Sequence, residues 1–112
     1  MQTEKVIDHI VNWLKDYANN AKLNGFVIGV SGGIDSAVTS TLCARTGLDL
    51  LCLEMPIHQG ANQVTRADHH IAWVMENYSN VNRQQVNLTP VFDSLVDAFP
   101  RVENEEERFM TL

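Results

Sequence analysis

The sequence has little positive charge and no concentrated block of it. Eight lysines and arginines stand against 14 aspartates and glutamates in 112 residues, which gives a formal net charge of −6 at neutral pH. Such a chain is poorly suited to attract nucleic acid or an anionic membrane over long range, so we expect neither as a partner. A local anion site remains compatible with this charge if backbone geometry holds the anion.

Long apolar runs and cysteine motifs are also missing. No segment approaches the roughly 18 apolar residues of a membrane helix. Residues 1–10, MQTEKVIDHI, have neither the basic nor the apolar region of a secretory signal, so we expect a cytoplasmic protein. Cys43 and Cys52 lie in apolar segments without metal or redox spacing, and we predict two buried, reduced thiols.

The apolar residues that are present alternate between helical and strand-like spacing. Helical spacing covers residues 6–21, with Thr3 as a candidate cap, and recurs at 36–46, 64–78 and 91–99. Gly47 is expected to stop the second helix, and Thr89 to cap the last one ahead of Pro90. Short apolar runs at 26–30 and 50–53, and a weaker one at 85–88, predict strands, with a turn at 80–83.

This alternation predicts an α/β fold, namely a doubly wound parallel sheet with helices on both faces. No internal repeat or linker divides the chain, so we expect one domain over residues 1–112. Three strands are few for a sheet of this kind, and we expect the domain to be incomplete.

The stretch 26–38, FVIGVSGGIDSAV, places two glycines, an acid and two serines between a predicted strand and a predicted helix. Doubly wound folds bind ligands at this place, the carboxyl end of a strand. Glycines let backbone amides turn inward, and the helix adds its positive end, so phosphate finds donors without a lysine. Because the Asp35 carboxylate would repel bare phosphate, we predict a magnesium ion between the two.

Three known loop motifs are alternatives for this stretch. A Walker loop needs a lysine that is missing here, and Ser31 takes the middle glycine position of a dinucleotide fingerprint. The hydrolase elbow G-x-S-x-G does match residues 29–33 and would make Ser31 a nucleophile. The acids and histidines open to that alternative are Asp49, Asp68, His58, His69 and His70. A plain turn without a ligand is the remaining alternative.

The hexapeptide SGGIDS at 31–36 resembles the pyrophosphate-binding loop of the N-type ATP pyrophosphatases. The segments WLKDY at 13–17, EMPIHQ at 54–59, residues 66–73 and NLT at 87–89 narrow the likeness to the NAD synthetases. The resemblance spans nearly the whole chain and implies an adenine nucleotide alpha hydrolase-like fold. Members of that family are usually much longer, so the chain looks like an N-terminal portion with part of an active site.

The resemblance implies an ATP- and magnesium-dependent ligase of the ammonia-dependent type. Such an enzyme converts nicotinic acid adenine dinucleotide (deamido-NAD) and ammonia to NAD through an adenylate, releasing AMP and pyrophosphate. A non-catalytic nucleotide-binding module and another N-type ATP pyrophosphatase stay open as alternatives. We also expect a homodimer, because an uncovered edge of the first strand invites pairing with another chain.

The resemblance also implies which residues form the site. The residues expected around ATP are Gly29, Val30, Ser31, Gly32, Gly33, Ile34, Asp35 and Ser36. Asp35 is the expected magnesium ligand, His58 a candidate adenosine contact, and no residue is assigned proton transfer. Glu54 stands where a basic residue is expected, which puts a phosphate contact from that position in doubt. We expect His69 and His70 on a solvated helix face and residues 103–107 in a solvated loop, and we expect Trp13 and Trp73 to serve packing or a subunit interface.

Overall fold

The structure, a computed structural model, describes residues 2–57 and 61–99, and only the backbone of 61–63. In chain order its elements are helix α1 (Thr3–Asn20), strand β1 (Gly25–Gly29), helix α2 (Ile34–Arg45), strand β2 (Asp49–Glu54), helix α3 (Ala61–Asn77), strand β3 (Val81–Gln85) and helix α4 (Thr89–Ala98). The strands form one parallel sheet in the order β1-β2-β3. The prediction of a parallel α/β fold is confirmed.

The core lies between one face of the sheet and helices α2 and α3. In register, Phe26, Leu50 and Val81 sit side by side on that face. Cys43 and Ala44 of α2 pack there, as do the α3 residues Ala67, Ile71 and Val74. The predicted burial of the two reduced cysteines is also confirmed, since Cys43 and Cys52 are free and buried. Burial raises the pKa of both thiols, so neither is an activated nucleophile.

The opposite face of the sheet is partly open to solvent. Val27 of β1 is 66% exposed, and together with Leu51 and Asn82 it lines a groove of about 350 Å³. The expectation that β1 is covered on both faces is therefore wrong for the described part of the chain. The apolar run at 26–30 predicts burial on both sides, whereas the described helices bury mainly the side of Phe26 and Ile28.

The third strand differs from its predicted position. It spans Val81–Gln85, so the predicted turn at 80–83 is correct only at Asn80, and the strand predicted at 85–88 begins four residues earlier than expected. Only Val81 of this strand is buried, and parallel pairing with β2 fixes its position despite the polar sequence that follows. Backbone bonds from Val86 to Glu54 (2.8 Å) and from Leu88 to Pro56 (2.9 Å) extend the pairing beyond the strand.

The helix ends agree with the sequence in part. Gly47 has φ +79°, which suits the glycine predicted to follow α2. Thr3 and Thr89 are the first residues of α1 and α4 and not their caps, because the capping positions are Gln2 and Leu88, without a side-chain cap bond. Among the described residues, no helix has the length and apolar character to cross a membrane.

Candidate phosphate-binding site

Loop 31–36 is anchored at the carboxyl end of β1. Val30 is 6% exposed, and its N–H donates to the Leu53 carbonyl at the end of β2 over 2.9 Å. Helix α2 begins at Ile34, within the loop. The chain thus passes from the buried Val30, one residue past β1, through three residues into the first turn of a helix, at the end of the sheet where parallel α/β folds bind ligands.

The first turn of α2 presents open amides at this edge. Gly33 occupies the capping position in an extended conformation, and no side chain caps the helix. The first N–H groups of a helix have no partner inside it and carry the positive end of its dipole. Within the described chain, no hydrogen bond occupies the amides of Ile34, Asp35 and Ser36. These donors suit an anionic oxygen.

Two serine hydroxyls hold the loop in shape. The Ser36 Oγ accepts from the Ser31 N–H at 3.2 Å and donates to the Gly33 carbonyl at 3.2 Å. The Ser31 Oγ accepts from the Gly33 N–H at 3.3 Å and lies 3.3 Å from the Ser36 Oγ. Because these bonds are long for their type, an entering phosphate can take over the Ser31 and Gly33 amides.

The two glycines of the loop have different roles. Gly32 adopts φ +88°, a conformation that L side chains rarely adopt. Gly33 has φ −88°, and a Cβ atom there would meet the Ser31 Oγ at an ordinary 3.5 Å. The backbone conformation of the loop therefore requires glycine only at the first of the two positions.

Asp35 stands in the first turn of α2, exposed to solvent. Its carbonyl accepts a hydrogen bond from the Thr39 hydroxyl at 2.8 Å, while its carboxylate has no hydrogen bond or ion pair with the other described residues. No group of three or more metal-ligating side chains occurs in the described ranges. A lone carboxylate beside open amides fits magnesium, which commonly takes one or two protein carboxylates and completes its shell with water and phosphate.

A charged cluster that the sequence did not predict lies one strand away. Glu54, the last residue of β2, is 3% exposed, and its Oε1 accepts from the Arg83 Nη2 at 2.5 Å. The same Nη2 lies 2.6 Å from the Asp68 Oδ1 of α3. The cluster Glu54–Arg83–Asp68 links two strands and a helix, and it explains how an acid is tolerated at a buried strand end.

Electrostatics within this cluster are unbalanced because one cation faces two acids. Burial raises the pKa of Glu54, the nearby Asp68 raises it further, and Arg83 acts in the opposite direction. The pKa of Arg83 is raised, first by its hydrogen bond to Asp68. The sequence puts a phosphate contact from position 54 in doubt, and the structure agrees, because the Glu54 Oε1 binds Arg83.

Among the described residues, the candidate histidines and acids do not form hydrogen bonds with Ser31. His70 Nε2 lies 2.7 Å from the hydroxyl of Ser40, which is completely buried, so the prediction of a solvated face is wrong for His70. Asp68 binds Arg83, and Asp49 begins β2, so it lies at the opposite end of the strands from the loop. The described hydrogen bonds of Ser31 involve only Gly33 and Ser36, so the geometry does not support the hydrolase alternative.

The predicted site residues thus occupy one continuous stretch at the sheet edge. Gly29 ends β1, Val30 is buried beneath the loop, and Ile34 is 78% exposed on top of it. His58 and residues 103–107 lie outside the described residues. The sequence does not predict the Glu54–Arg83–Asp68 cluster. Its one signal is that an apolar strand ends on an acid, Glu54, and nothing in the sequence marks Arg83 as the partner of that acid.

A three-stranded parallel sheet with a lysine-free, glycine-rich loop at the carboxyl ends of its strands defines a protein of the parallel α/β class. The family model described as NAD synthase matches residues 6–110, and the chain belongs to this family. It is 34% identical over 97 residues to the NH(3)-dependent NAD(+) synthetase of Malacoplasma penetrans, an alignment that covers 86% of this chain and 38% of the relative.

Solved structures support the same fold. The chain is similar to the NMN synthetase of Francisella tularensis, with a TM-score of 0.79, 28% identity, and coverage of 90% of this chain and 42% of that one. It is also similar to the NH3-dependent NAD synthetase of Campylobacter jejuni in complex with the nitrate ion, with a TM-score of 0.76, 26% identity, and coverage of 94% and 44%. The adenine nucleotide alpha hydrolase-like prediction is confirmed, and the chain spans about two fifths of these proteins.

Proposed function

We propose that residues 1–112 form one nucleotide-binding domain that holds the triphosphate of ATP at loop 31–36. The observation that carries this proposal is the uncapped start of α2, whose first turn has open amides and contains the exposed Asp35. Ser31 adds a hydroxyl donor at the same edge, and Ser36 would add a second when its proton leaves the Gly33 carbonyl for the phosphate. The surroundings contain enough donors for phosphate oxygens without a lysine.

The proposed reaction is the amide-forming ligation for which the relatives are named. A substrate carboxylate attacks the α-phosphorus of ATP, pyrophosphate leaves, and the acyl adenylate forms. Ammonia then attacks the carbonyl carbon, loses a proton to solvent, and displaces AMP to leave the amide of NAD. Loop 31–36 would bind and orient the phosphates and stabilise the charge that develops on the leaving pyrophosphate.

Magnesium is the proposed cofactor, and Asp35 its proposed ligand. When bound, the ion would neutralise phosphate charge and make the leaving group better. Asp35 stands in the first turn of α2 with the open amides. A cation bound to its carboxylate would attract the triphosphate, whereas the carboxylate without a cation would repel it. No residue of the chain is proposed to transfer a proton.

The substrate carboxylate is proposed to be that of deamido-NAD. Because the Francisella tularensis relative is named an NMN synthetase, the deamido form of that mononucleotide is a second candidate substrate. Because the chain spans about two fifths of its relatives, the complete reaction is proposed with further residues contributing to the site. A non-catalytic nucleotide-binding module and another N-type ATP pyrophosphatase are the competing functions.

We further propose a cytoplasmic homodimer with small-molecule substrates and no nucleic-acid or membrane partner. Support for self-association comes from the apolar surface: Trp13 and Tyr17 stack at 5.5 Å on α1 and are 57% and 58% exposed. Val27 on the open sheet face adds to it. Light scattering tests this part of the proposal, and a monodisperse monomer would contradict it.

The reaction is tested by mixing the chain with magnesium, ATP, ammonia and deamido-NAD and measuring pyrophosphate and NAD. Equal amounts of both products support the ligase, and the mononucleotide replaces deamido-NAD in a parallel reaction. Pyrophosphate without an amide product indicates activation alone. Bound ATP with neither product favours the non-catalytic module, and absence of ATP binding contradicts the proposed function.

A further inference from the structure

The Glu54–Arg83–Asp68 cluster lies close to the loop that is proposed to hold ATP. Glu54 directly follows Leu53, whose carbonyl holds the Val30 N–H at the start of the loop. Neighbouring strands of a sheet are about 4.8 Å apart. Glu54 and loop 31–36 therefore lie at neighbouring strand ends, and the charge of Glu54 would act on a triphosphate held there where water screens it poorly.

Glu54 is a buried charge that needs its partner. The residue is 3% exposed, and its Oε1 is 2.5 Å from the Arg83 Nη2. The ionisable groups around its carboxyl are Arg83 from β3, Asp68 from α3 and Cys52 on its own strand. Arg83 is the cation among them, so without it the sheet edge would carry two unbalanced carboxylates beside the ATP phosphates.

We propose that Arg83 is a positioning residue for nucleoside triphosphate binding, acting through Glu54. Its guanidinium neutralises the buried carboxylate and holds it away from the loop, so that the edge beside loop 31–36 accepts a polyanion. Arg83 itself does not touch the nucleotide. The inference rests on the proposed binding of ATP and extends it to residues that no sequence motif contains.

A purely structural clamp is the rival explanation, because the same contacts join β2, β3 and α3. The two explanations differ for Glu54→Gln, an isosteric change that removes the charge and loosens the clamp. A clamp predicts weaker ATP binding for this variant. Neutralisation by Arg83 predicts binding that is as tight as in the unchanged protein, or tighter.

The experiment measures magnesium-dependent ATP binding by calorimetry for the unchanged chain, Glu54→Gln, Arg83→Met and the double variant, at about pH 6 and about pH 8. Arg83→Met is expected to bind ATP roughly tenfold more weakly near pH 8. The loss should be smaller near pH 6 than near pH 8, because burial and Asp68 raise the pKa of Glu54 and removal of the arginine raises it further. The double variant is expected within roughly threefold of the unchanged protein at both pH values.

A matched control is Arg66→Met, which removes the same charge from an exposed position of α3 and should have a small effect. A double variant as weak as Arg83→Met overturns the inference. If Arg83→Met does not fold, as judged by circular dichroism, Glu54→Gln decides alone, and weaker ATP binding overturns it. An unchanged chain that binds no ATP overturns the proposed function as well, whereas ATP binding without the expected pattern overturns only the role of Arg83.

Discussion

Val30 and Leu53 are joined by a backbone hydrogen bond of 2.9 Å that ties the start of the glycine-rich loop to the end of the second strand. The bond lies one residue past β1, so the sheet holds the chain until Ser31. Only residues 31–33 separate this anchored point from the first residue of α2, Ile34. Its amides are therefore positioned by the sheet and the helix together, which is the arrangement that anion binding requires.

Asp35→Ala should weaken ATP binding only when magnesium is present. We expect a loss of roughly tenfold or more, because the variant removes the carboxylate that stands in the first turn of α2 with the open amides. With EDTA in place of magnesium, the variant should bind ATP as well as the unchanged chain or slightly better, since a repelling charge is gone. Calorimetry under both conditions measures this, and equal binding in magnesium would remove Asp35 from the site.

Gly32→Ala and Gly33→Ala form a matched pair. At Gly32, φ is +88°, and an alanine there should cost about 1 kcal/mol or more of the free energy of unfolding. At Gly33 the added Cβ meets only the Ser31 Oγ at 3.5 Å, so we expect a change below about 0.5 kcal/mol. Urea unfolding measures both values. Equal costs at the two positions would contradict the described loop conformation.

Acid should destabilise the fold through His70. Burial lowers the pKa of His70, so as the pH falls below the ordinary histidine value the unfolded chain takes up a proton before the folded one does. Stability is therefore complete at neutral pH and falls toward the lowered pKa. His70→Gln should lose less stability between about pH 7 and about pH 5 than the unchanged chain, as measured by urea unfolding.

The neighbouring His69, which is exposed, provides the control for this prediction. His69→Gln should keep the pH dependence of the unchanged protein. If both glutamine variants respond to acid alike, the contact between His70 and Ser40 does not determine the acid sensitivity.

Asn80→Ala should destabilise the connection between α2 and β2. The Asn80 Nδ2 donates to the Ala44 carbonyl at 3.0 Å and to the Leu48 carbonyl at 2.7 Å, and both acceptors lose a donor in the variant. We expect a cost of about 1–3 kcal/mol. Asn77→Ala is the control, because its single bond to the Trp73 carbonyl is exposed and its loss should cost below about 0.5 kcal/mol. Similar thermal shifts for the two variants would contradict this role of Asn80.

The sequence predicts the order of elements and the position of the loop because both depend on local patterns. The apolar run ending at Val30 and the glycine at position 32 are readable without any partner. Strand β3 is different: its residues are polar apart from Val81, and only pairing with β2 defines it. A short polar edge strand has no period that distinguishes it from a turn.

Contacts between distant elements were the other feature that sequence patterns could not supply. Ser40 and His70 are 30 residues apart, and Glu54 and Arg83 are 29 residues apart. Each residue alone fits an ordinary surface or core position, and its partner emerges only when helix and strand are packed. The sequence alone therefore predicts a solvated His70, and it marks Glu54 only as an acid where a basic residue is expected.

The most direct test of the central claim is an amide NMR titration of the chain with ATP in the presence of magnesium. The account predicts the largest shifts at the amides of loop 31–36, with Gly33, Ile34 and Asp35 prominent, and their reduction in Asp35→Ala. Exposed residues in the carboxyl-terminal half of α1, such as Asp16 and Asn20, should not respond. ATP-induced shifts located away from this loop, or none at all, would contradict the claim that it holds a triphosphate.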